Sequence, residues 1–184
     1  FRENLKIINN QIKQIEKLVN EFSDFARMPK PIFHKNNLVE LIIENINLLQ
    51  ELDTSINIKF ENNLPKINLE SDREQLSRVF LNLIKNSIES IHQKGQNDSN
   101  TNKKIDIELN DHDDHINLTI IDTGIGFENL KSNIKDILNP YFTTKKNGTG
   151  LGLSIVNKII NDHNGNIEFI PINDGAKIKI RFRK

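Results

Sequence analysis

Glycine is scarce in this chain and unevenly placed, and its placement restricts the possible folds more than any other feature. Of 8 glycines in 184 residues, two lie in Asp122-Thr123-Gly124-Ile125-Gly126 and three in Gly148-Thr149-Gly150-Leu151-Gly152. An apolar run with helical spacing follows the second cluster at Leu153, Val156, Ile159 and Ile160. Alternating glycines just ahead of a helix allow left-handed backbone and lay bare N–H groups at the positive end of the helix dipole. Such a loop suits a phosphate or another anion. The first cluster follows a strand-like run, residues 116–121, and so places the Asp122 carboxylate at a strand end beside pliable backbone.

The rest of the composition removes alternatives. Lys+Arg and Asp+Glu are both 25, so no global field draws the chain to nucleic acid or to an anionic membrane. Cysteine is absent, which excludes disulfides, thiolate metal sites and a cysteine nucleophile, and fits a reducing compartment. No apolar run reaches membrane-spanning length and no segment resembles a signal peptide. Phe1 rather than methionine opens the chain, which therefore reads as part of something longer.

In chain order, Phe1, Leu5, Ile8, Ile12, Ile15, Val19, Phe22 and Ala26 form an a/d heptad seam, the mark of a helix that packs in a bundle. Pro29 and Pro31 stop it, and a domain boundary is expected there, with residues 1–28 as a helical unit and 32–184 as a second domain. A short strand and a helix over 38–52 follow, then strands near 56–60 and 66–69. Ser71-Asp72-Arg73-Glu74 predicts a capping box, with Ser71 as the cap and Glu74 reaching back. The helix behind it buries Leu76, Val79, Phe80, Leu83, Ile84, Ile88 and Ile91. On an adjoining strip Asn82 and Asn86 stack at i and i+4, poor helix formers that read either as two solvated side chains or as oxygen ligands for a hard cation such as Mg²⁺.

Residues 95–102 read as a polar surface loop. Strands over 104–109 and 116–121 are joined through His112-Asp113-Asp114-His115, a polar hairpin tip and not a metal site. Residues 127–138 carry a weak helical pattern that leads, as a lid, into Asn139-Pro140-Tyr141-Phe142. His163-Asn164-Gly165 reads as a helix C-terminus, and strands near 166–170 and 177–182 flank the turn at Asn173-Asp174-Gly175.

In this order and spacing, Asn82-Leu83-Ile84-Lys85-Asn86-Ser87, Asp122-Thr123-Gly124-Ile125-Gly126, Tyr141-Phe142 and Gly148-Thr149-Gly150-Leu151-Gly152-Leu153 resemble the N, G1, F and G2 boxes of sensor histidine kinases. That ATP-binding domain is shared with gyrase, MutL and the heat-shock chaperones. Glu21-Phe22-Ser23-Asp24-Phe25-Ala26-Arg27-Met28-Pro29 resembles the end of the second helix of the kinase dimerisation hairpin, in wording closest to the NtrY and NtrB branch.

The resemblance implies an α/β fold: a two-layer sandwich of the Bergerat type, its mixed sheet of five or six strands covered by three helices, with one long helix in front. It implies ATP or ADP with Mg²⁺ as the ligand. Asp122 would read the adenine amino group, Asn86 and Asn82 would hold the ion, and Gly124, Gly126, Gly148, Thr149, Gly150, Leu151, Gly152 and Leu153 would shape the nucleotide site. Tyr141 and Phe142 would anchor the lid, and Asn82 with Lys145 or Lys146 would serve the transfer of the γ-phosphoryl group.

The implied partners are a second copy paired through the leading helix and a response regulator. The implied setting is the cytoplasmic part of a parent anchored in the bacterial inner membrane. None of His34, His92, His112, His115 or His163 stands in the phosphoacceptor context, so the acceptor is expected on another helix. Gly175-Ala176 stands where many relatives carry Gly-Thr, and Glu89 where some carry a phosphate-binding lysine. Two alternatives stay open: an ATPase of the gyrase or MutL type, disfavoured by Asn82 in place of a water-activating glutamate, and a non-catalytic dimerisation scaffold.

Overall fold

The computed structural model describes residues 2–95, 102–127, 134–143, 145 and 148–184. Lys146, Phe1, the centre of the loop over 95–102 and residues 128–133, 144 and 147 of the expected lid lie outside the described residues.

The chain opens with α1 (Arg2–Ala26), which ends ahead of Pro29 and Pro31. Its seam faces outward: Leu5, Ile8, Ile12, Ile15, Val19 and Phe22 are all exposed. Next come β1 (His34–Asn37) and α2 (Leu38–Leu52), the latter capped by Asn37, whose side chain accepts from the Val39 N–H. β2 (Asn57–Asn62), β3 (Asn68–Ser71), α3 (Arg73–Gly95), β4 (Lys104–Asp111) and β5 (His115–Asp122) follow. A 3₁₀ turn over Ile134–Leu138 precedes α4 (Gly152–Asp162), β6 (Gly165–Ile172) and β7 (Gly175–Arg183).

The main sheet has five strands in the order β2-β4-β5-β7-β6, with β2 parallel to β4 and the other neighbours antiparallel. It is the expected mixed sheet, and its strand number lies within the expected range. β1 and β3 stand apart as a two-stranded antiparallel ladder. Strict alternation buries Ile105, Ile107 and Leu109 of β4, Ile116, Leu118 and Ile120 of β5, and Ile178, Ile180 and Phe182 of β7. The apolar stripes of α2, α3 and α4 join the same core, which makes two layers.

The helix α3 begins one residue later than the capping-box reading places it. Ser71 is the last residue of β3, paired with His34, and its hydroxyl donates to the Leu69 carbonyl. Asp72 is the cap: its Oδ1 accepts from the Gln75 N–H at 3.0 Å. A residue spent in a strand ladder is not free to cap a helix, so the carboxylate beside it does so. Asp72 also accepts from the Ile32 N–H through Oδ2, and its own N–H donates to His163 Nε2. Thus one residue ties the segment after Pro31 and the end of α4 to α3. At that end Asn164, with φ 54°, takes the left-handed position.

Candidate functional site

A cavity of about 330 Å³ lies between α3, the start of α4, the turn after β5 and the segment following the 3₁₀ turn. Asp122 stands at its inner end, 3% exposed, where β5 stops. Its Oδ2 accepts from the Ser87 hydroxyl and its Oδ1 from the Gly124 N–H, both at 2.9 Å. Burial pushes the carboxyl above its ordinary value, and those two donors only partly offset the push. The neighbouring walls are apolar. Phe127 and Phe169 meet edge to face with centroids 5.7 Å apart, and Ile137, Ala176 and Ile178 complete them.

Backbone approach at this end is as close as it can be. Gly175, at φ 120°, would carry a Cβ 1.7 Å from the Asp122 carbonyl oxygen, so only glycine lets β7 begin beside the Asp122 turn. Ala176 is the partner of Asp122 in the β5–β7 ladder.

The outer end is polar. Asn82 and Asn86 face it from α3. Asn82 Nδ2 donates back to the Arg78 carbonyl, which leaves Oδ1 toward Gly152; a Cβ on that glycine would lie 3.3 Å from it. Asn86 Oδ1 accepts from Lys145 Nζ at 2.8 Å, and the same ammonium pairs with Glu89. Glu21 of α1 reaches the cavity and accepts from the Thr149 hydroxyl.

The glycine loop closes this end. Gly150 has φ 71°, and a Cβ there would stand 2.4 Å from the Tyr141 carbonyl carbon. The Tyr141 N–H donates to the Gly150 carbonyl at 3.0 Å. Tyr141 therefore meets the loop through its backbone, itself left-handed at φ 69°, while the residue as a whole is 55% exposed. Phe142, Gly126, Gly148, Thr149, Gly152 and Leu153 line the cavity. Leu151 is fully buried below it, and Gly124 packs on Ser90.

α4 starts with no side-chain cap, and the Ile155 N–H is the first to bond back, to Leu151. The N–H groups of Gly152, Leu153 and Ser154 thus point out of the helix at its positive end. Such a site accepts an elongated ligand, with a flat donor-bearing group against Asp122 and an anionic tail on the loop.

Sequence reasoning passed over Ser87, Ser90, Phe169 and Glu21. Ser87 had a legible signal: it continues the buried stripe of Leu83 and Ile84 on α3, where a hydroxyl needs a partner. Phe169 had none beyond the alternation of β6, and Glu21 comes from a helix distant in sequence.

The chain is similar in sequence and fold to known proteins. The family model described as "Histidine kinase-, DNA gyrase B-, and HSP90-like ATPase" matches residues 71–184. A putative sensor histidine kinase NtrY-like of Rickettsia felis is 34% identical over 99% of this chain and 29% of its own length. Nitrogen regulation protein NtrY of Azorhizobium caulinodans is 33% identical over 96% of this chain and 23% of its own length. The chain therefore spans less than a third of these curated relatives. Among solved structures, the nucleotide-free catalytic domain of histidine kinase ThkA superposes with a TM-score of 0.68 at 30% identity, covering 83% of this chain and 96% of that one. ThkA in complex with response regulator protein TrrA gives a TM-score of 0.76 at 29% identity, covering 99% of this chain and 51% of that one.

Proposed function

Because the chain belongs to the family of histidine kinase-, DNA gyrase B- and HSP90-like ATPases, we propose that its cavity binds ATP with Mg²⁺ and presents the γ-phosphoryl group to a histidine on a dimerisation hairpin. The observation that carries the reading is the pairing of a buried carboxylate with an uncapped helix N-terminus at opposite ends of one cavity.

Asp122 accepts the adenine amino hydrogen, a donor that guanine lacks at that position. One lone pair on each of its oxygens is already taken, on Oδ2 by Ser87 and on Oδ1 by Gly124, which hold the carboxylate in place. Phe127, Phe169 and Ile178 exclude water from the base. The loop at Gly148, Gly150 and Gly152 and the first N–H groups of α4 cradle phosphate oxygens. Asn86 suits the ion, since its Oδ1 already holds a cation, the Lys145 ammonium. When bound, Mg²⁺ neutralises phosphate charge and orients the group in transfer. Lys145 lines the same cavity and supplies a cation for the terminal phosphate, and Asn82, one turn before Asn86, faces Gly152. The residues present therefore fit the nucleotide and its cation.

α1 contains no histidine. The acceptor in this reading lies on a hairpin helix outside residues 1–184, and the phosphoryl group passes on to a response regulator. The likeness of ThkA, solved with such a regulator, supports that partner. Dimerisation through the exposed seam of α1 and a parent held in the bacterial inner membrane belong to the same proposal. Among the described residues no helix is long and apolar enough to cross a membrane.

Calorimetry with ATP and GTP, with and without Mg²⁺, tests the site. ATP should bind more tightly than GTP, and Asp122→Asn should weaken ATP binding at least tenfold, the scale of one lost charged hydrogen bond of roughly 1.5–3 kcal/mol. Equal affinities for the two nucleotides would sink the adenine assignment. Adding a separate hairpin that carries the histidine should give acid-labile labelling from γ-labelled ATP. Tight MgATP binding without labelling would count for an ATPase or a scaffold.

A further inference from the structure

The carboxylate of Glu89 is out of place in a cavity that receives a polyanion. It is 43% exposed and lines the cavity, one turn along α3 from Asn86. Asn82, Asn86 and Glu89 stand at i, i+4 and i+7, so they share a stripe of the helix. A negative group beside phosphate oxygens weakens binding unless a cation lies between them. Here that cation is Lys145. Its single ammonium spans Asn86 Oδ1, at 2.8 Å, and Glu89 Oε2. The amide oxygen and the carboxylate oxygen are therefore already placed so that one cation bridges them.

We propose that Asn86 and Glu89 together form the divalent-cation site of this chain, and that the Lys145 ammonium is a placeholder which the ion displaces when nucleotide binds. This rests on the nucleotide reading above and adds to it a carboxylate donor and an exchange of partners. Mg²⁺ prefers oxygen ligands, keeps several of its waters and draws most of its protein affinity from one or two carboxylates. An amide oxygen alone is a weak ligand. Glu89 supplies the charge that Asn86 lacks, either directly or through a coordinated water. Among the described residues no group of three or more His, Asp or Glu gathers anywhere, so no richer cage competes for the ion. The displaced lysine is then free to turn to the phosphates. The glutamate at position 89 thus exchanges a direct phosphate contact for stricter dependence on the metal.

The test uses the 184-residue chain with ADP, which binds without being consumed. Binding is measured by calorimetry in EDTA and across a Mg²⁺ titration, for the parent, Glu89→Gln and Lys145→Met. Thermal midpoints without ligand check that the variants fold, which the exposure of both side chains favours. Glu89→Gln should need roughly tenfold more Mg²⁺ for half-maximal ADP binding, the scale for loss of a partner of a bound metal. Its affinity for ADP in EDTA should be equal to the parent's or tighter, because a repelling charge is gone. Lys145→Met should weaken ADP binding in EDTA without raising the Mg²⁺ requirement. If Glu89→Gln instead reproduces Lys145→Met, with the same loss in EDTA as in Mg²⁺, then Glu89 only positions the lysine and the cation assignment is overturned. A parent chain that binds ADP equally well with and without Mg²⁺ would overturn it too, while leaving the nucleotide site standing. No ADP binding by the parent under any condition would overturn the nucleotide reading, and this inference with it.

Discussion

At the scale of residues, Asp122 sets binding against stability. Its carboxyl is pushed above the ordinary 3.8 because burial penalises the charged form more than the Gly124 and Ser87 donors repay. For an acid whose folded pKa is raised, the stability it contributes is present below 3.8 and is lost as pH rises through the folded value. Asparagine at this position keeps both local bonds: its oxygen accepts from Gly124, and its nitrogen donates to Ser87, whose hydroxyl can accept. Asp122→Asn should therefore melt no lower than the parent at pH 7 without nucleotide. The difference should shrink as pH approaches 4, and at pH 7 ATP should stabilise the variant less than the parent. Thermal scans across pH check this, and a variant that melts lower at pH 7 would contradict the burial penalty assigned to the carboxylate.

The element that most depends on one residue is α3, which carries Asn82, Asn86 and Glu89 on one side and, on the other, a core stripe that Ser87 continues. Its start is fixed by Asp72, whose carboxyl is partly buried, which raises its pKa, yet accepts from the N–H groups of Ile32, Gln75 and Glu74 and ends below its ordinary value. Removing an N-cap costs about 1 kcal/mol, which lowers the melting temperature of a chain this size by about 2–4 °C. Asp72→Ala should do at least that, since the Ile32 bond is lost as well. Ser71→Ala should cost less, because its hydroxyl serves only β3 and Asn36. Reversal of that order in thermal melts would restore the capping box as first read. The lowered carboxyl also implies that this stability, present above 3.8, falls away as pH drops through the folded value.

At the scale of the whole molecule, α1 leaves a seam of Leu5, Ile8, Ile12, Ile15, Val19 and Phe22 in water, a long apolar stripe with no cover among the described residues. A second copy is the proposed cover. One helix per chain makes half of a four-helix bundle, so association should be weak and rise with concentration. Sedimentation over a hundredfold range of concentration would show a climbing mass for the parent. Ile12→Lys with Ile15→Lys should hold the chain as a monomer, and an unchanged profile would exclude the seam as the contact. Nucleotide binding should survive in this variant, because neither residue borders the cavity.

Local rules were enough for much of this protein. Periodicity in the sequence determined α2 and the buried face of α3, because a helix exposes its apolar stripe every third or fourth residue whatever it packs against. The two glycine clusters announced the loop at Gly150 and the turn at Asp122, since only glycine tolerates the backbone those positions need. Separation in the sequence hid the rest. That Ser71 belongs to a ladder with His34, and so yields the cap to Asp72, depends on β1 returning to β3. That Ser87 holds Asp122, that Lys145 sits on Asn86 and Glu89, and that Glu21 meets Thr149 are pairings between side chains tens of residues apart. No local pattern encodes them, because such contacts are chosen by how the helices settle on the sheet and by which buried polar groups must find partners once water has left.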